Sequence, residues 1–84
     1  MVKILKYIVN NQNLPILFNT DTLHSEVSNL VSSAGFVIVN YDSNSDYFFA
    51  KCYGKSSSLN VNSNENDNIL IEKMLNNMSA IDFD

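Results

Sequence analysis

The segment Gly54-Lys55-Ser56-Ser57-Ser58 carries the densest set of groups able to hold a ligand. A glycine bares backbone N–H groups, a lysine supplies one cation and the serines supply hydroxyl donors, the inventory an anionic phosphate prefers. It is not a P-loop, because the Gly-x4-Gly-Lys-Ser/Thr spacing is absent and no helical pattern follows directly. The other reading of the same residues is a solvated turn between strands. His24 is the sole histidine. At the border of an apolar stripe it either bonds a backbone group or touches a ligand, and no acid at an evident position orients it as a base. Tyr53 shares one side of an alternating run with Tyr47, Phe49 and Lys51, a set that could stack a nucleotide ring or pack across strands. The candidate ligand-binding residues are therefore His24, Tyr53, Lys55, Ser56 and Ser58. No catalytic set is evident, since no nucleophile elbow accompanies the serines. One histidine, one cysteine and scattered carboxylates lack the ligand spacing of a zinc or calcium site, and no cofactor is implied.

The elements that must position these residues are organised around Thr20 to Asp42. Over Thr20 to Ala34 the apolar Leu23, Val27, Leu30, Val31 and Ala34 recur at helical spacing. The spacing predicts one helix, begun at Asn19 or Asp21 and stopped by Gly35 as a left-handed C-terminal cap. Its other face, Ser25, Ser28, Asn29 and Ser32, is small and uncharged, and suits either water or a second subunit. Phe36 to Tyr41 is apolar on both sides and predicts a strand inside a sheet.

Before it, Lys3 to Val9 predicts a strand, Asn10 to Asn13 a hairpin loop, and Leu14 to Phe18 a strand that Pro15 holds to an edge or a strand start. After it, Asp42 to Asp46 is a polar loop leading into a strand Tyr47 to Tyr53, with Phe48, Ala50 and Cys52 facing the core. Leu59 and Val61 alternate with polar neighbours and predict a short fifth strand. Ser63 or Asn64 caps a last helix from about Glu65, with Leu70, Ile71, Met74, Leu75 and Met78 as its apolar face. Residues 79–84 form an exposed acidic tail with Ile81 and Phe83. The expectation is a single α+β domain over 1–78, in the order ββαβββα, with a mainly antiparallel sheet packed by two helices.

Composition bounds the partners. With 84 residues and 45% hydrophobic content the chain should fold, with a stability margin thin enough that a homo-oligomer is expected. Five lysines, no arginine and a net charge of −4 lack the basic footprint that nucleic acid or an anionic membrane requires. Cys52 is the only cysteine, which suggests a buried thiol in a reducing, cytoplasmic setting. The apolar run from Met1 to Val9 is broken by Lys6 and is too short for a signal peptide or a membrane span.

Leu17-Phe18, His24-Ser25, Ser33-Ala34-Gly35-Phe36, Cys52-Tyr53-Gly54, Ser56, Ser58-Leu59, Asp67 and Ile71 together form a pattern over about residues 16 to 75. The chain in this respect resembles small phage and prophage proteins, a group that brings no established activity. The resemblance marks His24 and the Gly54 to Leu59 segment, and this sequence departs from it at Lys55, where an acid is expected. It implies a phage-type version of ligand binding, a sponge that sequesters a nucleotide immune signal between subunits. The alternative is a protein-interaction or inhibitor protein that blocks a host factor without a small ligand, motivated by the acidic charge and the apolar third strand. An enzyme is the third reading, and it would rest on His24.

Overall fold

The computed structural model describes the backbone of residues 2–82 and the side chains of residues 2–77. Strands β1 (Val2–Asn10), β2 (Pro15–Phe18), β3 (Val31–Asp42) and β4 (Tyr47–Tyr53) form one antiparallel sheet in the order β2-β1-β3-β4. A single turn of helix, α1 (His24–Val27), links β2 to β3, and a two-stranded hairpin, β5 (Lys55–Ser56) with β6 (Val61–Asn62), follows β4. The helix α2 (Asn66–Asp82) closes the described chain. The class is α+β with a mainly antiparallel sheet. The order is ββαββββα: two short strands stand in place of the expected fifth, because Ser56 pairs with Val61 around the intervening turn.

The first turn forms as its residues dictate. Asn10 accepts hydrogen bonds on its side-chain oxygen from the N–H groups of Gln12 and Leu14 at 2.9 and 3.0 Å, and Asn13 adopts φ 63°. Short amide side chains tolerate that conformation and imitate a backbone turn. Pro15 stands opposite Val9, and β2 is an edge strand, where a missing N–H costs little.

The long helix expected over Thr20 to Ala34 does not form. Only His24–Val27 are helical, and Val31 to Ala34 belong to β3. Helical spacing of apolar residues coexists there with β-branched and small polar residues that favour a helix weakly, while β1 offers a long backbone ladder to pair with. Tyr7 stands opposite Gly35, Ile8 opposite Ala34 and Val9 opposite Ser33. Ser32 is the extra residue of a bulge at this point, and its hydroxyl donates to the carbonyls of Val9 and Asn10 at 3.1 and 3.2 Å. Gly35 is accordingly no helix cap. It is a buried strand residue that stands where a Cβ would come within 2.6 Å of the Tyr53 carbonyl oxygen.

One face of the sheet is the core. Tyr7, Val9, Val37 and Ala50 pack against Ile71 of α2, and Leu5, Leu17, Val39, Cys52, Leu70 and Leu75 surround them. For β4 and α2 those are the sides that alternation and helical spacing assign inward. The backbone of α2 continues to Asp82. The tail's side chains, its residues 83–84 and the Met78 side chain lie outside the described residues. Among the described residues no helix is long and apolar enough to cross a membrane.

Candidate functional site

His24 is 3% exposed, and its ring meets Phe18 and Phe36 edge-on with centroids 5.5 and 6.0 Å away. Its Nε2 lies 2.9 Å from the Gly35 carbonyl oxygen. A carbonyl only accepts, so Nε2 carries a proton and donates. The histidine thereby ties α1 to the middle of β3, and it presents almost no surface to solvent.

Ser56 is fully buried, and its hydroxyl accepts from the Leu59 N–H at 3.2 Å and lies 3.4 Å from the Ser58 hydroxyl. Ser58 in turn accepts from the Ser25 N–H at 3.2 Å. The serines of the Gly54 to Ser58 segment thus build the turn itself and fasten it to α1. Lys55 is exposed and stands opposite Asn62 in the β5–β6 hairpin. Tyr53, 40% exposed, stacks on Phe36 at 5.7 Å and 23°. His24, Tyr53, Ser56 and Ser58 are therefore brought into one neighbourhood, through Phe36 and α1. Within it His24 and Ser56 are spent on internal partners, while Tyr53, Lys55 and Ser58 keep surface.

Several of the residues that the sequence pattern over about 16 to 75 singles out contact one another here. His24 meets Phe18, Gly35 and Phe36; Ser33 meets Asp67; Ser56 meets Ser58.

A second group was not legible as a group. Asp67, 2% exposed, accepts from the Tyr7 hydroxyl at 2.5 Å, the Ser33 hydroxyl at 2.9 Å and the Asn64 N–H at 2.9 Å. Asn64 in turn accepts from the Asn66 N–H at 3.0 Å, so Asn64 and Asp67 cap the start of α2 reciprocally. The carboxylate is saturated with donors and closed to solvent, and it works as a fastener joining α2 to β1 and β3. Burial, and then the bond to Asp67, push the Tyr7 hydroxyl well above the ordinary tyrosine range.

Burial also pushes the neighbouring Cys52 thiol from 9.0 up to about 11. Only the thiolate attacks a disulfide reagent, so at pH 8 the folded chain holds ~100-fold less of the reactive form than an unfolded one. A thiol-exchange time course with and without urea should show at least that ratio. Equal rates in the two states would place the thiol in water.

The other face of the sheet is open at one end. Cross-strand pairing puts Val2, Asn40 and Phe49 in one row, Ile4, Ile38 and Lys51 in the next, and Phe18, Lys6, Phe36 and Tyr53 in the third. The third row lies under α1, where Lys6 donates to the Thr22 carbonyl at 2.9 Å and its Nζ stands 5.9 Å from the Phe36 ring centroid. Among the described residues the first two rows have no such cover. Val2 is 63%, Ile4 51% and Phe49 47% exposed, and Tyr47 packs edge-on against Phe49 at 5.0 Å. The outward side of β4 therefore reads Tyr47, Phe49, Lys51, Tyr53: aromatic rings around one cation. From Lys51 a groove of about 530 Å³ continues around the sheet edge to the amides of Asn64, Asn66 and Asn68.

No protein-family model, curated protein or solved structure matches this chain. The reading of the site rests on its geometry. Among the described residues no three His, Cys, Asp or Glu side chains come together as a metal site would require.

Proposed function

We propose that the protein is a small, non-catalytic, self-associating binding module, and that the open end of its sheet takes a nucleotide-type ligand. The observation that carries this reading is the exposed stripe Tyr47, Phe49, Lys51 and Tyr53 on one side of β4, beside exposed Ile4. Aromatic rings on a sheet stack planar bases without regard to sequence, and a lysine between them attracts a phosphate. The net charge of −4 opposes a long polyanion, whose binding needs many cations. A single nucleotide, with one to a few phosphates, needs only one or two.

The apolar rim, Val2 and Ile4, supports a second copy covering the ligand, the arrangement a phage-type sponge for a nucleotide signal would use. This reading takes Tyr53 from the sequence-derived set and adds Tyr47, Phe49 and Lys51. Lys55 and Ser58 are next to Tyr53 along the chain and suit the ligand's far end.

The test is calorimetry with a panel of linear and cyclic nucleotides, paired with native mass spectrometry. Phe49→Ala and Lys51→Ala should each weaken binding about 10-fold, the worth of one stacked base or one charge-assisted contact. Both side chains are exposed, so the melting temperature should stay within about 3 °C of the parent. Absence of heat and of thermal shift across the panel would end the ligand reading. The same apolar rows would then favour the second reading, a protein partner on this face, and Ile4→Asp should abolish its capture.

A further inference from the structure

The helix α2 packs on one face of the sheet and takes up the outward N–H groups of Phe48, Ala50 and Cys52 on Asn76, Glu72 and Asn68 at 2.8, 2.8 and 2.6 Å. With β4 closed in this way and Pro15 blunting β2, the broad free surface among the described residues is the outer face. Its rows continue one step past Val2, Asn40 and Phe49, where Asp42 stands opposite Tyr47. An acid thus lies one row to one side of Phe49, and a cation, Lys51, one row to the other. Asp42 is held in place, because its two oxygens accept from the Asn44 N–H and the Ser45 hydroxyl at 3.0 Å each. Each oxygen keeps a further lone pair.

We propose that two copies of this chain pack outer face to outer face about a twofold axis that crosses the strands at the row of Asn40 and Phe49, and that Asp42 of the second copy is the partner of Lys51. Such an axis keeps each strand over its own counterpart and exchanges the rows on either side. Lys51 then lies over Tyr47 of the second copy and beside its Asp42, while Phe49 meets Phe49, Asn40 meets Asn40 and Val2 meets Val2. Packed sheets stand ~10 Å apart, a gap that a lysine and an aspartate reaching from opposite sides span. The carboxylate attracts the lysine by charge, and the tyrosine ring does so by its face. Asparagine amides both donate and accept, so the facing pair satisfies itself. An axis along the strands would instead set Lys51 over Ile4 and leave both charges unpaired. The exposed parts of Val2, Ile4, Tyr47 and Phe49 offer roughly 400 Å² of apolar surface per copy, about half of what each partner gives a standard interface, with Asn40, Asp42 and Lys51 as the polar rim.

The inference rests on the self-association proposed above and names its contacts; it is tested without nucleotide, so its failure is separate from that of the ligand reading. Lys51→Glu and Asp42→Lys are studied by native mass spectrometry and sedimentation over a dilution series, alone and mixed. Each variant alone sets like charges together twice across the axis, and should dimerise at least ~10-fold more weakly than the parent. An equimolar mixture should dimerise like the parent, as heterodimers, because both contacts then join opposite charges. A parent that is monomeric at every concentration, or a mixture no better than its components, overturns the proposal. If Asp42→Lys fails to fold, Asp42→Asn keeps an acceptor for the turn and should weaken the dimer ~5-fold, the worth of two exposed ion pairs. An unchanged dimer in that variant also overturns the proposal.

Discussion

Replacing Asp67 with alanine lowers the melting temperature by at least ~12 °C, or leaves the chain unfolded at 37 °C. The carboxylate has three donors, the Tyr7 and Ser33 hydroxyls and the Asn64 N–H. Tyr7 is fully buried and Ser33 is 4% exposed, so neither hydroxyl finds water when the acceptor goes. Orphaned buried donors cost about 1–3 kcal/mol each, and relaxation keeps the sum nearer to 3–5 kcal/mol. An 84-residue domain holds only about 4–13 kcal/mol in total, and 1 kcal/mol is worth ~4–8 °C at this size. Asp67→Asn should lose about a third of that, because the hydroxyls can rotate to accept from its amide. Thermal melts followed by circular dichroism decide the matter, and a drop below ~4 °C for Asp67→Ala would mean that the knot is not a fastener.

Gly35→Ala carries the second large effect, and its cause is steric. The added Cβ would lie 2.6 Å from the Tyr53 carbonyl oxygen, 3.2 Å from Ser63 Cβ and 3.4 Å from the Gly54 carbonyl carbon. Two of those atoms are backbone, so no rotamer change relieves the overlap. β3 and the end of β4 must separate, at a cost of about 3 kcal/mol or more. The Gly35 carbonyl is also the acceptor of His24, and Tyr53 belongs to the exposed stripe. The variant should therefore lose stability and nucleotide affinity together, whereas Phe49→Ala loses affinity alone. Calorimetric melting of Gly35→Ala at parental temperature would show that the strands have room to spare.

Part of the candidate site was legible in the chain, and the boundary between the parts is physical. That Tyr53, Phe49 and Lys51 share a side of β4 follows from period-two alternation, which needs no partner. That the same side is bare follows from where α1 and α2 pack, and no local pattern reports it. His24 at the edge of an apolar stripe suggested either a bonded or a ligand-facing imidazole. The Gly35 carbonyl that accepts its hydrogen bond is supplied by a strand whose start the periodicity assigned to the end of a helix.

By itself the sequence determined the features whose causes lie within a few residues. The Asn10 to Asn13 turn, the bounds of β4 and the capped start of α2 at Asn64 are of this kind, because amide side chains, alternation and N-terminal capping act locally. It also determined the acidic balance that argues against polyanionic partners. Only the tertiary structure decided that Val31 to Ala34 are strand, that Gly35 lies under Tyr53, that Asp67 joins Tyr7 and Ser33, and that α2 covers the β4 edge. These depend on pairs separated by 16 to 60 residues along the chain. The backbone ladder with β1 takes Val31 to Ala34 into β3 together with the residues after them, and the ladder prevails over the helical spacing.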